Sequence, residues 1–135
     1  MHEWALAEAI IQSLLNIANE KKARRVKEVG IKIGELQQID IEAFTIALKE
    51  LSKGTFLEGI EVKIKEERAS FRCRVCGFEW KLEDIRNEIG DSEKEYIHFI
   101  PEVVHAFLKC PRCGSHDFEI KKGRGLWISY IKIER

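Results

Sequence analysis

The 135-residue chain has no excess of charge of either sign: 23 Lys and Arg stand against 23 Asp and Glu. That balance argues against a protein drawn to nucleic acid or to a membrane surface by its overall charge. No apolar run approaches the roughly 20 residues of a membrane span, so none is expected. The start, Met1-His2-Glu3-Trp4, carries no cationic stretch, and Glu3 and Glu8 interrupt the apolar residues. No cleavable signal peptide is expected, and the amino terminus reads as mature sequence of a cytoplasmic protein. Repeats, low-complexity tracts and a Gly-rich phosphate loop are all missing; Gly123-Arg124-Gly125 lacks the strand-then-helix context of such a loop and reads as a turn. No paired carboxylates or nucleophile–base set marks a catalytic site, so no enzyme is expected. Asn, Gln and Met are scarce while charged residues reach 34%, a lean towards a hot environment. With 44% hydrophobic residues, the chain can bury a real core. Its length fits one domain, or a small domain carrying a smaller metal-stapled one.

What is present begins with four cysteines, Cys73, Cys76, Cys110 and Cys113, in two C-x2-C pairs. Two intervening residues let both thiolates of a pair face one ion, and Gly77 and Gly114 permit the tight turn that follows each pair. Four thiolates suit tetrahedral Zn(II) and leave no open position, so the site reads as structural rather than catalytic. Rubredoxin-like iron would satisfy the same sulfurs. Two disulfides are the other alternative, disfavoured without a secretion signal.

Residues 3–20 read as an amphipathic helix, with Trp4, Ala7, Ile11, Leu14, Leu15 and Ala18 at helical spacing. The basic patch 21–25 reads as a solvated helix end favoured by the dipole rather than a nucleic-acid site. Val26 to Leu36 predicts a strand through the alternation of Val29, Ile31 and Ile33. Asp40 is placed to cap a second helix over 40–53, with Ile41, Phe44, Ile46, Ala47, Leu48 and Leu51 as its apolar positions and Gly54 as terminator. A second strand follows around Ile60, Val62 and Ile64, and a third runs through Leu126, Ile128, Tyr130, Ile131 and Ile133. The segment 67–119 lies between two strands expected to share a sheet, so it reads as an insertion. It holds 11 acidic and 8 basic residues, whereas a nucleic-acid-binding zinc ribbon is expected to be basic. Within it, 100–108 predicts a short helix with Pro101 in the first turn.

His2 is the most informative of the four histidines. The amine of Met1, the amide nitrogen of His2 and its imidazole can close two fused chelate rings on one ion, and the amide of Glu3 is a further donor. An amide nitrogen binds only after losing its proton, which Ni(II) and Cu(II) promote, and both favour square-planar or tetragonal nitrogen sites. The alternative is an ordinary frayed terminus. His98 reads as a loop histidine or as a ligand supplied from the loop. His105 reads as structural, and His116 as a surface group or one that supports the cysteine cage.

The Met1-His2-Glu3 start, the strand ending Gly34-Glu35-Leu36, the paired C-x2-C knuckles and the closing strand together resemble the HypA/HybF nickel metallochaperones of [NiFe]-hydrogenase maturation. The long gap between the knuckles resembles archaeal members. The resemblance spans essentially the whole chain. It implies an α+β fold: two helices on a three-stranded sheet, 1–66 plus 120–135, hold nickel, and an inserted zinc-ribbon-like domain, 67–119, holds structural zinc. Residue by residue it implies His2 as nickel ligand, with the backbone amides of His2 and Glu3 as further donors and His98 as a loop candidate. Cys73, Cys76, Cys110 and Cys113 are then the zinc ligands. The implied partners are the HypB nucleotide hydrolase and the hydrogenase large-subunit precursor, with a homodimer as a further arrangement and no nucleic acid or membrane. The rival functions are a zinc-ribbon nucleic-acid-binding or transcription-associated module and a metal-dependent enzyme.

Overall fold

In the computed structural model, residues 2–88, 90–100 and 103–135 are described, with only the backbone for 86–88, 95, 98 and 99. The element order is α1 (Glu3–Glu20), β1 (Arg25–Gly34), α2 (Ile41–Ser52), β2 (Glu61–Glu67), β3 (Ser70–Cys73), β4 (Glu79–Lys81), α3 (Asp91–Phe99), α4 (Val104–Phe107), β5 (Phe118–Lys122) and β6 (Leu126–Glu134), with 3-10 turns at Glu35–Gln37 and Leu82–Glu88. The chain divides into two compact units, 1–32 with 39–65 and 127–135, and 33–38 with 66–126.

In the first unit, α1 and α2 pack on each other, and the sheet has the strand order β2-β1-β6. Arg24 donates its N–H to the Glu134 carbonyl at one end of β1, and Gly34 donates to that of Gly125 at the other, both at 2.7 Å, so β1 and β6 run antiparallel. The buried stripe of α1 is Ala7, Ile10, Ile11, Leu14 and Ala18. Trp4 and Leu15, counted into that stripe from the sequence, lie roughly 80° around from its centre. Trp4 is accordingly 53% exposed and Leu15 half-buried. The Asp40 carboxylate accepts from the Ala43 N–H at 3.1 Å, the expected cap of α2. Phe44, Ala47 and Leu48 form its buried side, while Ile46 falls on the opposite face and is 51% exposed. Gly54 ends the segment at φ +74°.

The second unit is a small antiparallel sheet of order β4-β3-β5, in which Phe71 pairs with Trp80 on one side and with Ile120 on the other. Phe71, Trp80 and Phe118 form its centre, with ring centroids 5.2–5.5 Å apart. Leu36, Ile85, Ile97, Val104 and Leu108 are buried in the same cluster. Leu36 explains why β1 stops two residues before the sequence expectation: the chain turns at Glu35–Gln37 and commits Leu36 to this core. Its N–H donates to the Gly123 carbonyl at 2.8 Å. Three short strands and α3 were not foreseen, and the helix expected over 100–108 is confined among the described residues to Val104–Phe107. Gly123 and Gly125, both at positive φ, make the expected turn between β5 and β6.

Candidate metal centre

Each knuckle is built from backbone hydrogen bonds around a thiol. Cys73 ends β3 and donates its N–H to the Phe78 carbonyl at 2.8 Å, while Gly77 donates to the Cys73 carbonyl at 3.0 Å. The second knuckle repeats the pattern: Gly114 donates to Cys110 at 2.9 Å and Cys110 to Ser115 at 2.8 Å. Gly77 and Gly114 both sit at φ +79°, where a side chain is strained. Arg74 joins the two halves, its backbone N–H donating to the Asp117 carbonyl at 2.9 Å and its guanidinium to the Asp117 carboxylate at 3.1 Å.

The four sulfurs converge. Their Sγ atoms all lie within 4.8 Å of one another, and among the described residues this is the one group of His, Cys, Asp and Glu so placed. Cys73 and Cys113 are 3.5 Å apart and Cys76 and Cys110 3.7 Å. Metal–sulfur bonds of about 2.3 Å in tetrahedral geometry place sulfurs roughly 3.8 Å apart, so the cage fits a single ion. These separations far exceed a disulfide bond of about 2.05 Å, and all four thiols are free. Cys73 and Cys110 are buried; Cys76 and Cys113 are exposed.

The electrostatics suit a cation. The Cys76 amide, aimed at the Cys73 sulfur and helped by that of Val75 against burial, pulls the Cys73 thiol down to about 7. Burial opposes ionisation of Cys110, yet the amides of Cys113 and Arg112 hold it below the usual thiol value. The Ser115 amide pulls Cys113 down, but burial and the three neighbouring sulfurs push it up to about 12. The backbone thus favours the first thiolate and the sulfurs resist a full set, a conflict that a bound dication removes.

Two histidines brace this unit. His116 lies with Nδ1 2.8 Å from the Leu108 carbonyl. The His105 ring packs 4.3 Å from the Phe118 ring, with its Nδ1 3.4 Å from the His116 carbonyl. Both expectations for these residues are met: neither belongs to the cage. At the other candidate site, His2 is exposed and occupies the N-cap position of α1. Glu3 is 7% exposed and accepts from the Asp40 N–H at 3.4 Å. Met1 and the side chain of His98 lie outside the described residues. The structure therefore gathers the cysteines, and sets His2 and Glu3 side by side at the start of α1.

The model of the family described as "Hydrogenase/urease nickel incorporation, metallochaperone, hypA" matches residues 1–133. The chain belongs to the HypA family. The hydrogenase maturation factor HypA of Pyrococcus horikoshii is 53% identical over 135 residues, covering 100% of this chain and 97% of that one. That of Methanopyrus kandleri is 31% identical and covers 99% and 94%. The solution structure of the Ni metallochaperone HypA from Helicobacter pylori matches the fold with a TM-score of 0.62, at 17% identity, over 99% of this chain and 98% of that one. A family of nickel metallochaperones for hydrogenase maturation and a four-cysteine metal cage thus coincide in one chain. The nucleic-acid-binding alternative finds no support in the comparisons. Among the described residues no helix is long and apolar enough to cross a membrane.

One interaction escaped the sequence reading. Glu35 of the Gly34-Glu35-Leu36 motif is 6% exposed and accepts the Ala69 N–H at 2.7 Å. Arg68 lies 3.9 Å away. Its burial had no local signal, because it arises from a turn that sequence alternation does not encode.

Proposed function

We propose that the chain carries Ni(II) at its amino terminus and holds structural Zn(II) among Cys73, Cys76, Cys110 and Cys113. The nickel donors are the His2 imidazole, the deprotonated amides of His2 and Glu3, and the Met1 amine. One observation carries the nickel reading: an exposed His2 heads α1, while the next residue, Glu3, is buried and bonded to the Asp40 backbone. The first four N–H groups of a helix have no acceptor within it, so helix formation does not consume the amides of His2 and Glu3. The side chains of α1 anchor the helix, and His2 is exposed at its head. A carrier needs this arrangement: donors selective for Ni(II) yet open to a recipient.

Domain roles follow: the unit of 1–32 with 39–65 and 127–135 serves nickel, and the unit of 33–38 with 66–126 serves zinc. The protein acts as a carrier rather than an enzyme, in the cytoplasm. It works with the HypB nucleotide hydrolase and delivers nickel towards the precursor of the [NiFe]-hydrogenase large subunit; a homodimer is compatible with this. His98, near the end of α3 rather than in the expected loop, completes the nickel site. A change of about 1.4 kcal/mol in binding is tenfold in affinity, so gaining or losing one imidazole is a sufficient switch between holding and release. Nickel titration of His2→Ala and His98→Ala, each with and without HypB, tests these assignments. Loss of tight binding in His2→Ala is expected. Parent-like affinity in that variant removes the terminal site, and parent-like affinity of His98→Ala in both conditions removes His98 from the set.

A further inference from the structure

The β2-β1-β6 sheet carries a second feature that nickel and zinc binding leave unused. Ligand sites are typically concavities of about 300–1,000 Å³, and one of 480 Å³ lies over this sheet, lined by Gly30, Lys32, Lys63, Lys65, Ser129 and Tyr130 among others. Gly30 is required there, because a Cβ would lie 2.1 Å from the Tyr130 ring that covers it. Tyr130 in turn is fixed: its hydroxyl donates to the Glu28 carboxylate, and Lys132 reaches both that carboxylate, at 3.5 Å, and the ring, at 5.8 Å from its centroid. The floor of the concavity is therefore a braced aromatic.

Its charges are unequally satisfied. Lys63 is paired with Glu61 at 2.9 Å, and Glu28 is held by Tyr130 and Lys132. Among the described residues Lys32 and Lys65 have no carboxylate partner. Two unmatched ammonium groups beside a fixed tyrosine, on a face whose own carboxylates are engaged, call for carboxylates from elsewhere. We propose that this sheet face docks an acidic peptide segment of a protein partner, with Lys32 and Lys65 as its charge contacts and Tyr130 as its apolar floor.

A peptide fits better than a nucleic-acid strand. A phosphate backbone brings unbroken negative charge, which would meet Glu28 and Glu61 as well as the lysines. A peptide can space its carboxylates to reach Lys32 and Lys65 alone. Each exposed ion pair is individually weak, so affinity for a short probe is low and falls steeply with salt.

The test uses the full-length zinc-loaded chain, a short oligoglutamate peptide and an oligothymidylate of equal length, followed by amide chemical shifts. The peptide is expected to move the signals of Gly30, Lys32, Lys65, Ser129 and Tyr130. That response should weaken at least about tenfold in Lys32→Glu/Lys65→Glu, a surface charge reversal that leaves the melting temperature unchanged, and should fade as salt rises. Tyr130→Phe, which keeps the ring, should retain binding. No shift at low salt overturns the proposal. So do shifts elsewhere on the chain, equal binding by the charge-reversed variant, or tighter binding of the oligothymidylate on the same face.

Discussion

A carbon added to Gly123 would lie 2.4 Å from the Ala69 Cα, at a backbone φ of +95°. Both facts oppose any side chain. Gly123 also supplies the carbonyl bonded by Leu36 and donates its own N–H to the Glu67 carboxylate at 2.9 Å. Gly123→Ala is therefore expected to destabilise the β3–β5 unit by roughly 2–4 kcal/mol, combining overpacking with strain. Denaturant unfolding followed by the near-ultraviolet signal of buried Trp80 measures it. His2 stands at the other extreme: an exposed side chain at a helix cap. His2→Ala is expected to leave folding stability within the roughly ±0.5 kcal/mol of ordinary surface changes while removing tight nickel binding. A fall in melting temperature as large as that of a cysteine variant would show that His2 is structural.

At the scale of elements, the knuckles are turns whose thiols ionise against one another until a cation is present. Losing the metal, by chelation or by Cys73→Ala or Cys110→Ala, should unfold β3, β4 and β5 together, since ion binding supplies the folding energy of such sites. Amide exchange in α1 and α2 should be little changed, and that contrast is the readout. Acid should act in the same direction. In the metal-free protein the Cys73 value of about 7 lies below that of an unfolded thiol, about 8.5. The stability it confers is present above that unfolded value and is lost as pH falls through about 7. Cys113, raised to about 12, favours the folded state below the unfolded value and ceases to do so as pH rises through about 12. Metal release should therefore begin on the acid side, visible as loss of bound metal together with the Trp80 signal.

Elements differed sharply in how legible they were. The long ones, α1, α2, β1, β2 and β6, announced themselves because apolar periodicity had room to repeat, and Asp40 marked the α2 start by its own chemistry. The cage was legible from C-x2-C spacing alone, since two residues fix the geometry of a thiolate pair. The strands β3, β4 and β5 have four, three and five residues, too few for alternation to stand out. The register Phe71 to Trp80 comes from the knuckle turn between them. Helix α3 opens on the polar run Asp91-Ser92-Glu93-Lys94 after Gly90, which reads equally as loop. Trp4 and Ile46 were read as core because their residue type is apolar; their angular positions on the two helices place them outside it.

For the whole molecule, we propose a division of labour between two compact units: the one with α1 and α2 presents the nickel donors, and the one with β3, β4 and β5 keeps zinc. The sequence motifs at both ends of this division matched one family along 133 residues, although the local contacts that build each unit were largely invisible before folding. Exposed Trp4, two residues from His2, gives an intrinsic reporter. Nickel at the terminus should quench its emission in proportion to loading, and should not do so in His2→Ala.

The most direct measurement compares nickel titrations of the zinc-loaded protein with its native amino terminus and with a short extension before Met1, zinc being assayed throughout. The account predicts one tight nickel site per chain with the native terminus, its loss on extension, and unchanged zinc in both. Equal nickel affinity in the extended protein, or nickel entering only as zinc leaves, would contradict it.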